Sequence, residues 1–362
     1  GPLTLSTSPP LPAARVGEIA RLSVPTVLVA FGGAAAQTTE VWLIGRLGTE
    51  ALAGYALVLP LLMLLQMTST GAMGGGVASA IARALGAGRA DEASALVLHA
   101  LIIAAGMGIA FTIGVVGFGP RLFRAMGASG AAMDHALTYS SWLFSGAVLV
   151  WIANTLGAVL RGTGNMRLPA AIMLAWWAIE APLSGVLMLG FGMGMRGAAI
   201  AYVLAFAGCC ITTLVLMRRG AAGFVPRFDL RSLSRALFGR ILSVGVVATA
   251  MATIANITVV LVTALVARHG DAAIAAYGVG VRLEFLMVPL AFGIGATMTA
   301  MVGRRVGAGA WAAARATAWR GGLLAGAIAL AIGGAAALFP VPLARAFATN
   351  DTVQEAIALY LV

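Results

Sequence analysis

Long apolar runs constrain the fold of this 362-residue chain more than any other feature. A helix needs about 20 consecutive apolar residues to cross the hydrocarbon core of a bilayer. Between short polar loops, such runs lie at 19–44, 51–82, 93–117, 132–157, 167–189, 194–217, 236–267, 273–303 and 313–340, and a tenth starts near 352. The sequence therefore predicts an all-α polytopic membrane protein.

The composition supports this interpretation. Hydrophobic residues make up 61% of the chain and charged residues 10%, and the mean hydropathy is +0.99. A soluble globular domain does not need that balance, whereas an integral membrane protein does. The first residues are rich in proline and lack the pattern of a signal peptide. We expect residues 1–18 to form a disordered tail.

The basic residues serve as topology signals. The net charge of +11 comes from 23 basic residues, all of them arginine. A basic chain can bind nucleic acid, but these arginines flank the apolar runs, so we expect no nucleic-acid partner. An N-terminus in the cytoplasm puts most of them on the cytoplasmic side, as the positive-inside rule requires. We therefore expect a multi-pass protein of the bacterial plasma membrane with a cytoplasmic N-terminus.

The chain also repeats itself at a nearly constant offset. Residues 51–55 (ALAGY) return as 273–277 (AIAAY), and 86–88 (GAG) return as 307–309. Segment 126–139 returns as 347–360, with an acid and a tyrosine in matching places. Six helices lie in one repeat, so both halves start on the same side. The two halves are then related by an axis along the membrane normal, as in parallel transporter repeats.

The repeat predicts the domain organisation. We expect two pseudo-symmetric six-helix lobes, with the second incomplete after about nine and a half helices of the twelve that a full parallel repeat needs. The boundaries are 19–217 for the N-terminal lobe, 218–240 for an Arg-rich cytoplasmic linker and 241–362 for the C-terminal lobe. We expect the linker to rest on anionic headgroups. We also expect a monomer, and expect that this fragment alone does not transport.

Three acidic residues lie deep inside apolar runs: Glu40, Glu180 and Glu284. A carboxylate inside hydrocarbon costs a few kcal/mol or more unless it faces a cavity, a partner or a proton. Three of them indicate a bundle that moves something across the bilayer. Only Arg282 opposes them within the spans, so the sequence predicts a cavity that attracts cations.

Four segments resemble one transporter family, in the same order along the chain. They are 40–53 (EVWLIGRLGTEALA), 82–88 (ARALGAG), 160–169 (LRGTGNMRLP) and 282–284 (RLE) followed by Pro289, Phe292 and Gly293. Together they resemble the MATE (multidrug and toxic compound extrusion) family. The resemblance implies a twelve-helix, two-lobed antiporter that exchanges inward H⁺ or Na⁺ for outward drug-like organic cations.

The resemblance also implies the coupling site. Glu40 and Glu180 would bind the coupling ion, with Tyr139, Asn154 and Tyr202 as helpers, and no cofactor would be needed. The ion would be H⁺, or else Na⁺ at Glu40 and Glu180, with no other metal. The family pattern usually has Asp at position 40 and often Thr at position 202.

Simpler roles exist for each residue of the coupling site. Glu40 could pair with Arg46 or reach the membrane surface, and Glu180 could form a structural pair. Tyr139, Asn154 and Tyr202 could simply hydrogen-bond neighbouring helices.

A second group of residues is predicted to bind the substrate, a small amphipathic cation. It comprises Glu284, Arg282, Met63, Met67 and Met287. Methionines suit an adaptable cavity wall, although plain packing or lipid contact would also explain them. Glu284 could instead form a salt bridge between helices.

Three other functions compete with cation export. A lipid-linked precursor flippase of the same superfamily would need a cationic cavity, but the spans hold three acids and one arginine. A membrane-embedded transferase would need clustered acids or a His–acid pair at the membrane surface, and neither pattern occurs, so we expect no enzyme. A receptor or scaffold is opposed only by the buried acids.

Overall fold

The computed structural model describes residues 11–226, 228–268, 271–347 and 351–361. Within these ranges the side chains of 271–276, 278–286 and a few neighbouring positions lie outside the description. The described chain consists of helices joined by short loops. This is the expected result in a bilayer, because a helix satisfies its own backbone hydrogen bonds where no water is available.

Twelve helices can be named over the described residues. They are α1 Val16–Gly45, α2 Thr49–Gly86, α3 Ala90–Ala125, α4 Gly130–Ser145, α5 Ala147–Gly162, α6 Arg167–Gly190, α7 Met195–Arg218, α8 Arg235–Ala267, α9 Asp271–Gly307, α10 Trp311–Leu338, α11 Pro340–Phe347 and α12 Asp351–Leu361. Eight of them, or nine with the pair α4–α5 as one span, are long and apolar enough to cross a membrane. The all-α polytopic fold is thus confirmed.

Predicted span 132–157 is not one straight helix. Helices α4 and α5 meet at Gly146 with a bend of 49°. A Cβ at Gly146 would collide with the side chain of Val203 on α7, so the corner is packed tightly against that helix. The apolar pattern runs through the bend without a break, which is why hydropathy alone predicts a single span.

Close helix crossings hold the first lobe together. Gly54 of α2 lies against His135 of α4, and Gly108 of α3 lies against Val148 of α5. Gly208 of α7 lies against the ring of Trp176 on α6. Glycine allows such backbones to approach closely, and in lipid this packing replaces the hydrophobic driving force between helices.

Helix α2 contains a π-helical segment, Met67–Met73, near its middle. Two further π-helical turns end α6 at Val186–Gly190 and interrupt α3 at Ile113–Gly117. π-Helical turns widen the helix and often occur at functional sites. The segment in α2 directly follows Gln66, a residue of the polar interior described below.

The second half of the chain packs against α1 and the C-terminal half of α2. Gly293 of α9 lies against Ser23 and Val27 of α1, and Gly76 of α2 lies against Gly245 of α8. The face of the bundle where α1 begins, called here the N-terminal face, also holds the ends of α2, α5, α7 and α9.

Two glycines make the tightest crossing on this N-terminal face. A Cβ on Gly86 would overlap the backbone carbonyl of Arg304, and a Cβ on Gly307 would overlap that of Arg83. Gly86 and Gly307, like Arg83 and Arg304, are separated by the repeat offset. The two copies of the repeat therefore make reciprocal contacts on this face, as a two-fold relation between them requires.

The described part of the predicted disordered tail, residues 11–18, makes specific contacts. Residues 1–10 lie outside the description, but α1 begins at Val16 and Ala14 is buried. The Ala14 N–H donates to Thr317 Oγ1 at 3.0 Å, and Arg305 Nε donates to the Pro12 carbonyl at 2.8 Å. These contacts fasten residues 12–14 to α9 and α10, which hydropathy could not predict.

The glycine crossing generates the first prediction. Gly86→Ala and Gly307→Ala should each lower stability by about 1–3 kcal/mol, because the added methyl overpacks a backbone contact. The measurement is the thermal midpoint of unfolding in detergent. Gly75→Ala, on α2 but with no atom within 4 Å of its Cβ, is the matched control and should keep or raise the midpoint. Equal effects of Gly75→Ala and Gly86→Ala would contradict the crossing.

Candidate functional site

Glu40 is buried near the far end of α1, and only 4% of the residue is exposed. Its Oε1 accepts a hydrogen bond from the hydroxyl of Tyr139, on α4, at 2.8 Å. Arg46, the alternative partner, instead stacks over the ring of Trp42, with 5.2 Å between the guanidinium carbon and the ring centroid. The carboxyl group is thus turned into the first lobe.

Glu180 lies on α6 and is 3% exposed. Its Oε1 is buried and has no hydrogen-bond partner among the described residues. Helix α6 packs along α1, and the carboxyl groups of Glu180 and Glu40 are close enough for their charges to interact. A buried carboxyl oxygen without a donor is costly, so it marks a position suited to a proton or cation.

A second polar cluster lies beside these acids and centres on Gln66 of α2. The Gln66 side chain donates to the hydroxyl of Tyr202 at 2.5 Å and accepts from Asn154 Nδ2 at 3.1 Å. Asn154 also donates to Ser69 Oγ at 2.8 Å. The cluster joins α2, α5 and α7 at the start of the π-helical segment.

The two predicted helpers Asn154 and Tyr202 are therefore held by Gln66 and not directly by the acids. Tyr139 is the one predicted helper with a hydrogen bond to either acid. Tyr202 is nevertheless near enough to both acids for their charges to act on its hydroxyl. The sequence interpretation missed the connecting residue, Gln66. Its signal was available, because an amide within an apolar span needs a partner.

Tyr55 is a further residue that sequence reasoning missed. Its ring packs edge-on against that of Tyr139, with centroids 5.5 Å apart. Its hydroxyl lies 3.5 Å from Gln37 Nε2 on α1. Tyr55 thus supports the side chain that donates to Glu40.

The predicted substrate residues are only partly described. Arg282 and Glu284 belong to α9, but their side chains lie outside the described residues. Met63 and Met67 of α2 are exposed, at 40% and 44%, and Met287 of α9 is partly exposed. Their substrate role remains a proposal.

This architecture defines a class of protein. Membrane-crossing helices carry two sequence repeats that contact each other reciprocally, and buried carboxyl groups lie within the first repeat. That arrangement is typical of a secondary transporter.

Comparison with known proteins identifies the family. The MatE family profile matches residues 25–186 and 246–362. The chain belongs to the MATE family of membrane transporters.

The chain is similar to several known transporters at modest sequence identity. A FAD transporter of Shewanella oneidensis is 25% identical over 338 residues, covering 89% of this chain and 72% of that protein. A probable multidrug resistance protein NorM of Thermotoga maritima is 26% identical over 366 residues, covering 95% and 76%. The bent form of the Vibrio cholerae transporter VcmN superposes with a TM-score of 0.87 at 21% identity, covering 96% and 78%.

The bond between Tyr139 and Glu40 generates the second prediction. Tyr139→Phe should keep the ring packing but leave the buried Glu40 carboxyl without its donor. We expect a loss of about 1–3 kcal/mol, measured as a fall in the thermal midpoint. Tyr55→Phe is the matched control and should cost less, because its hydroxyl has only the 3.5 Å contact with Gln37. Equal losses in both variants would argue against a special role for Tyr139.

Proposed function

We propose that this chain belongs to a secondary active antiporter that exports amphipathic organic cations in exchange for inward H⁺ or Na⁺. The coupling ion would bind at Glu40 and Glu180 within the N-terminal lobe, 19–217. The proposal rests on two buried carboxyl groups, on the packed helices α1 and α6, that lie close enough for their charges to interact. Tyr139 donates to one of them, and the other has an oxygen with no partner among the described residues.

The charge of the Glu40–Glu180 pair limits which ions it can hold. Two carboxylates in one low-dielectric interior cannot both be ionised cheaply, so the pair favours a bound proton or cation. Loading with H⁺ or Na⁺ removes charge from the interior of the lobe, and release restores it. Tyr139 can orient Glu40 in either state, because its hydroxyl both donates and accepts.

The Gln66 cluster would transmit that change. Gln66 directly precedes the π-helical segment of α2, and Ser69 lies within it. The C-terminal half of α2, which follows this segment, contacts α8 and α9. Asn154 and Tyr202, the proposed helpers, are bonded to this segment through Gln66. A rearrangement around the acids would therefore be passed to α2 and, through its C-terminal half, to α8 and α9 of the second lobe.

The preference for cations rests on charge and on similarity. Within the spans Glu40, Glu180 and Glu284 outweigh Arg282, and a low-dielectric cleft magnifies such an imbalance. The T. maritima relative is named a probable multidrug resistance protein. We propose that Glu284 and Arg282, with Met63, Met67 and Met287, contact the substrate. The protein would act as a monomer in the bacterial plasma membrane, with the N-terminus and the linker 218–240 in the cytoplasm.

An anionic substrate is the second candidate. The S. oneidensis relative is named a FAD transporter, and a lipid-linked precursor flippase would also carry phosphates. Arg161 favours an anionic substrate. The Arg161 guanidinium lies against Gly74 and Gly157, and within the described residues it donates no hydrogen bond and forms no ion pair.

The deciding experiment is transport by the full-length protein in proteoliposomes under separately imposed H⁺ and Na⁺ gradients. Efflux of a cationic dye driven by one of these gradients would support the antiporter. Movement of FAD or of a polyprenyl phosphate in preference to the dye would contradict the cation antiporter and support the second candidate, a transporter of anions.

The coupling role of Glu180 gives the third prediction. Glu180→Gln should abolish gradient-driven dye efflux at unchanged expression, because the amide cannot exchange a proton or balance a cation. Glu50→Gln, which alters an exposed acid at the start of α2, is the control and should transport normally. Undiminished efflux by Glu180→Gln would remove Glu180 from the mechanism.

The charge preference gives the fourth prediction. Glu284→Gln should weaken the binding of cationic dyes about tenfold, or by about 1.4 kcal/mol, while sparing neutral ones, because the amide carries no charge to attract a cation. Fluorescence titration of matched cationic and neutral dyes measures the difference. The control is Glu355→Gln, an exposed acid on α12. An equal loss for neutral dyes would assign Glu284 to structure.

A further inference from the structure

The N-terminal face contains a charged pocket between the two halves of the chain. It has a volume of about 260 Å³, and its lining includes Arg83, Arg89, Glu92, Arg240 and Gly307. The pocket borders the crossing of Gly86 and Gly307, where the two repeats meet. It is separate from the polar interior around Glu40 and Glu180.

The charges in this pocket are unbalanced. Glu92 of α3 accepts hydrogen bonds from both Arg89, at 2.8 Å, and Arg240 of α8. Arg83 of α2 adds a third guanidinium, which donates to Ser79 Oγ at 2.8 Å and to the Arg240 carbonyl at 3.1 Å. One lining carboxylate therefore faces three lining guanidinium groups.

The arrangement brings like charges together. Arg83 and Arg240 both line the pocket, and the Arg83 guanidinium reaches the backbone of Arg240, so two like charges lie near each other and repel. They come from opposite halves of the chain, so this repulsion opposes closure of the N-terminal face. An anion between them would remove the repulsion, and guanidinium groups are well shaped to bind the oxygens of a phosphate.

We propose that this pocket binds a phosphate group, and that the bound phosphate holds the two halves together at the N-terminal face. The anionic headgroup of a phospholipid is the favoured source. The pocket lies at the ends of membrane-crossing helices, the level of lipid headgroups, and basic pockets between helices on the cytoplasmic side recognise such lipids. A soluble phosphate has the same chemistry and is distinguished by experiment.

The test uses the full-length protein in detergent, with phosphatidylglycerol or phosphatidylcholine added in mixed micelles. Phosphatidylglycerol should raise the thermal midpoint more than phosphatidylcholine does. Arg83→Gln and Arg240→Gln should each weaken its apparent affinity about fivefold, as expected for one basic residue at an anionic lipid surface. Glu92→Gln should strengthen it, because two guanidinium groups lose their carboxylate.

Arg124→Gln is the matched control. Arg124 is an exposed arginine in the last turn of α3, and this end of the helix lies on the face opposite the N-terminal face. Its Nε donates to the Pro120 carbonyl. The response of this variant to phosphatidylglycerol should equal that of the parent. If an Arg83 or Arg240 variant fails to fold, the gain expected for Glu92→Gln still tests the proposal.

A second arm titrates inorganic phosphate in lipid-free detergent. A phosphate response with the same order of variants would assign the pocket to a soluble phosphate, and a response to phosphatidylglycerol alone would assign it to the lipid. Identical responses of the parent, Arg83→Gln and Glu92→Gln to both probes would overturn the proposal.

Discussion

The absence of water from the bilayer core is the constraint on which the structure depends. Each backbone amide there must be satisfied within its own segment, which leaves helices as the building blocks of this chain. Association between those helices cannot rely on the hydrophobic effect, because lipid tails are as apolar as leucine. The helices accordingly meet at glycines, such as Gly108 against Val148 and Gly86 against Arg304.

The same constraint explains the polar interior. In this environment a side chain such as Gln66 or Asn154 must find a partner on a neighbouring helix, and the two residues bond to each other. Glu40 accepts a hydrogen bond from Tyr139, whereas Glu180 has a buried oxygen with no donor among the described residues. Tyr139 orients one carboxyl group of the pair, and the unsatisfied oxygen of Glu180 is available to a proton or a cation, so both features support the proposed coupling role.

Closure of the N-terminal face depends on packing and on charge. The repeats meet at Gly86 and Gly307, where backbone lies on backbone, so the contact leaves little freedom for gradual movement. Beside it, Arg83 and Arg240 bring like charges from both halves. Favourable packing and unfavourable repulsion therefore act at the same contact between the two halves of the chain.

Hydropathy and repetition along the chain are enough to predict where most spans lie, their order and the repeat. The predicted tenth segment, near 352, corresponds to α12 at Asp351–Leu361, and the first, 19–44, corresponds to α1 at Val16–Gly45. The spans and the repeat can be predicted because hydropathy and periodic repetition are properties of contiguous residues. The three acids were readable for the same reason, since each stands out against its own apolar run.

The contacts between side chains that are distant in sequence depend instead on how the helices pack. The sequence could not show that Gln66 joins Asn154 to Tyr202, that α4 and α5 bend at Gly146, or that Arg240 shares Glu92 with Arg89. Each of these depends on the rotation and depth of one helix against another. Those quantities are set by the packing of side chains from several segments at once, and no single segment contains that information.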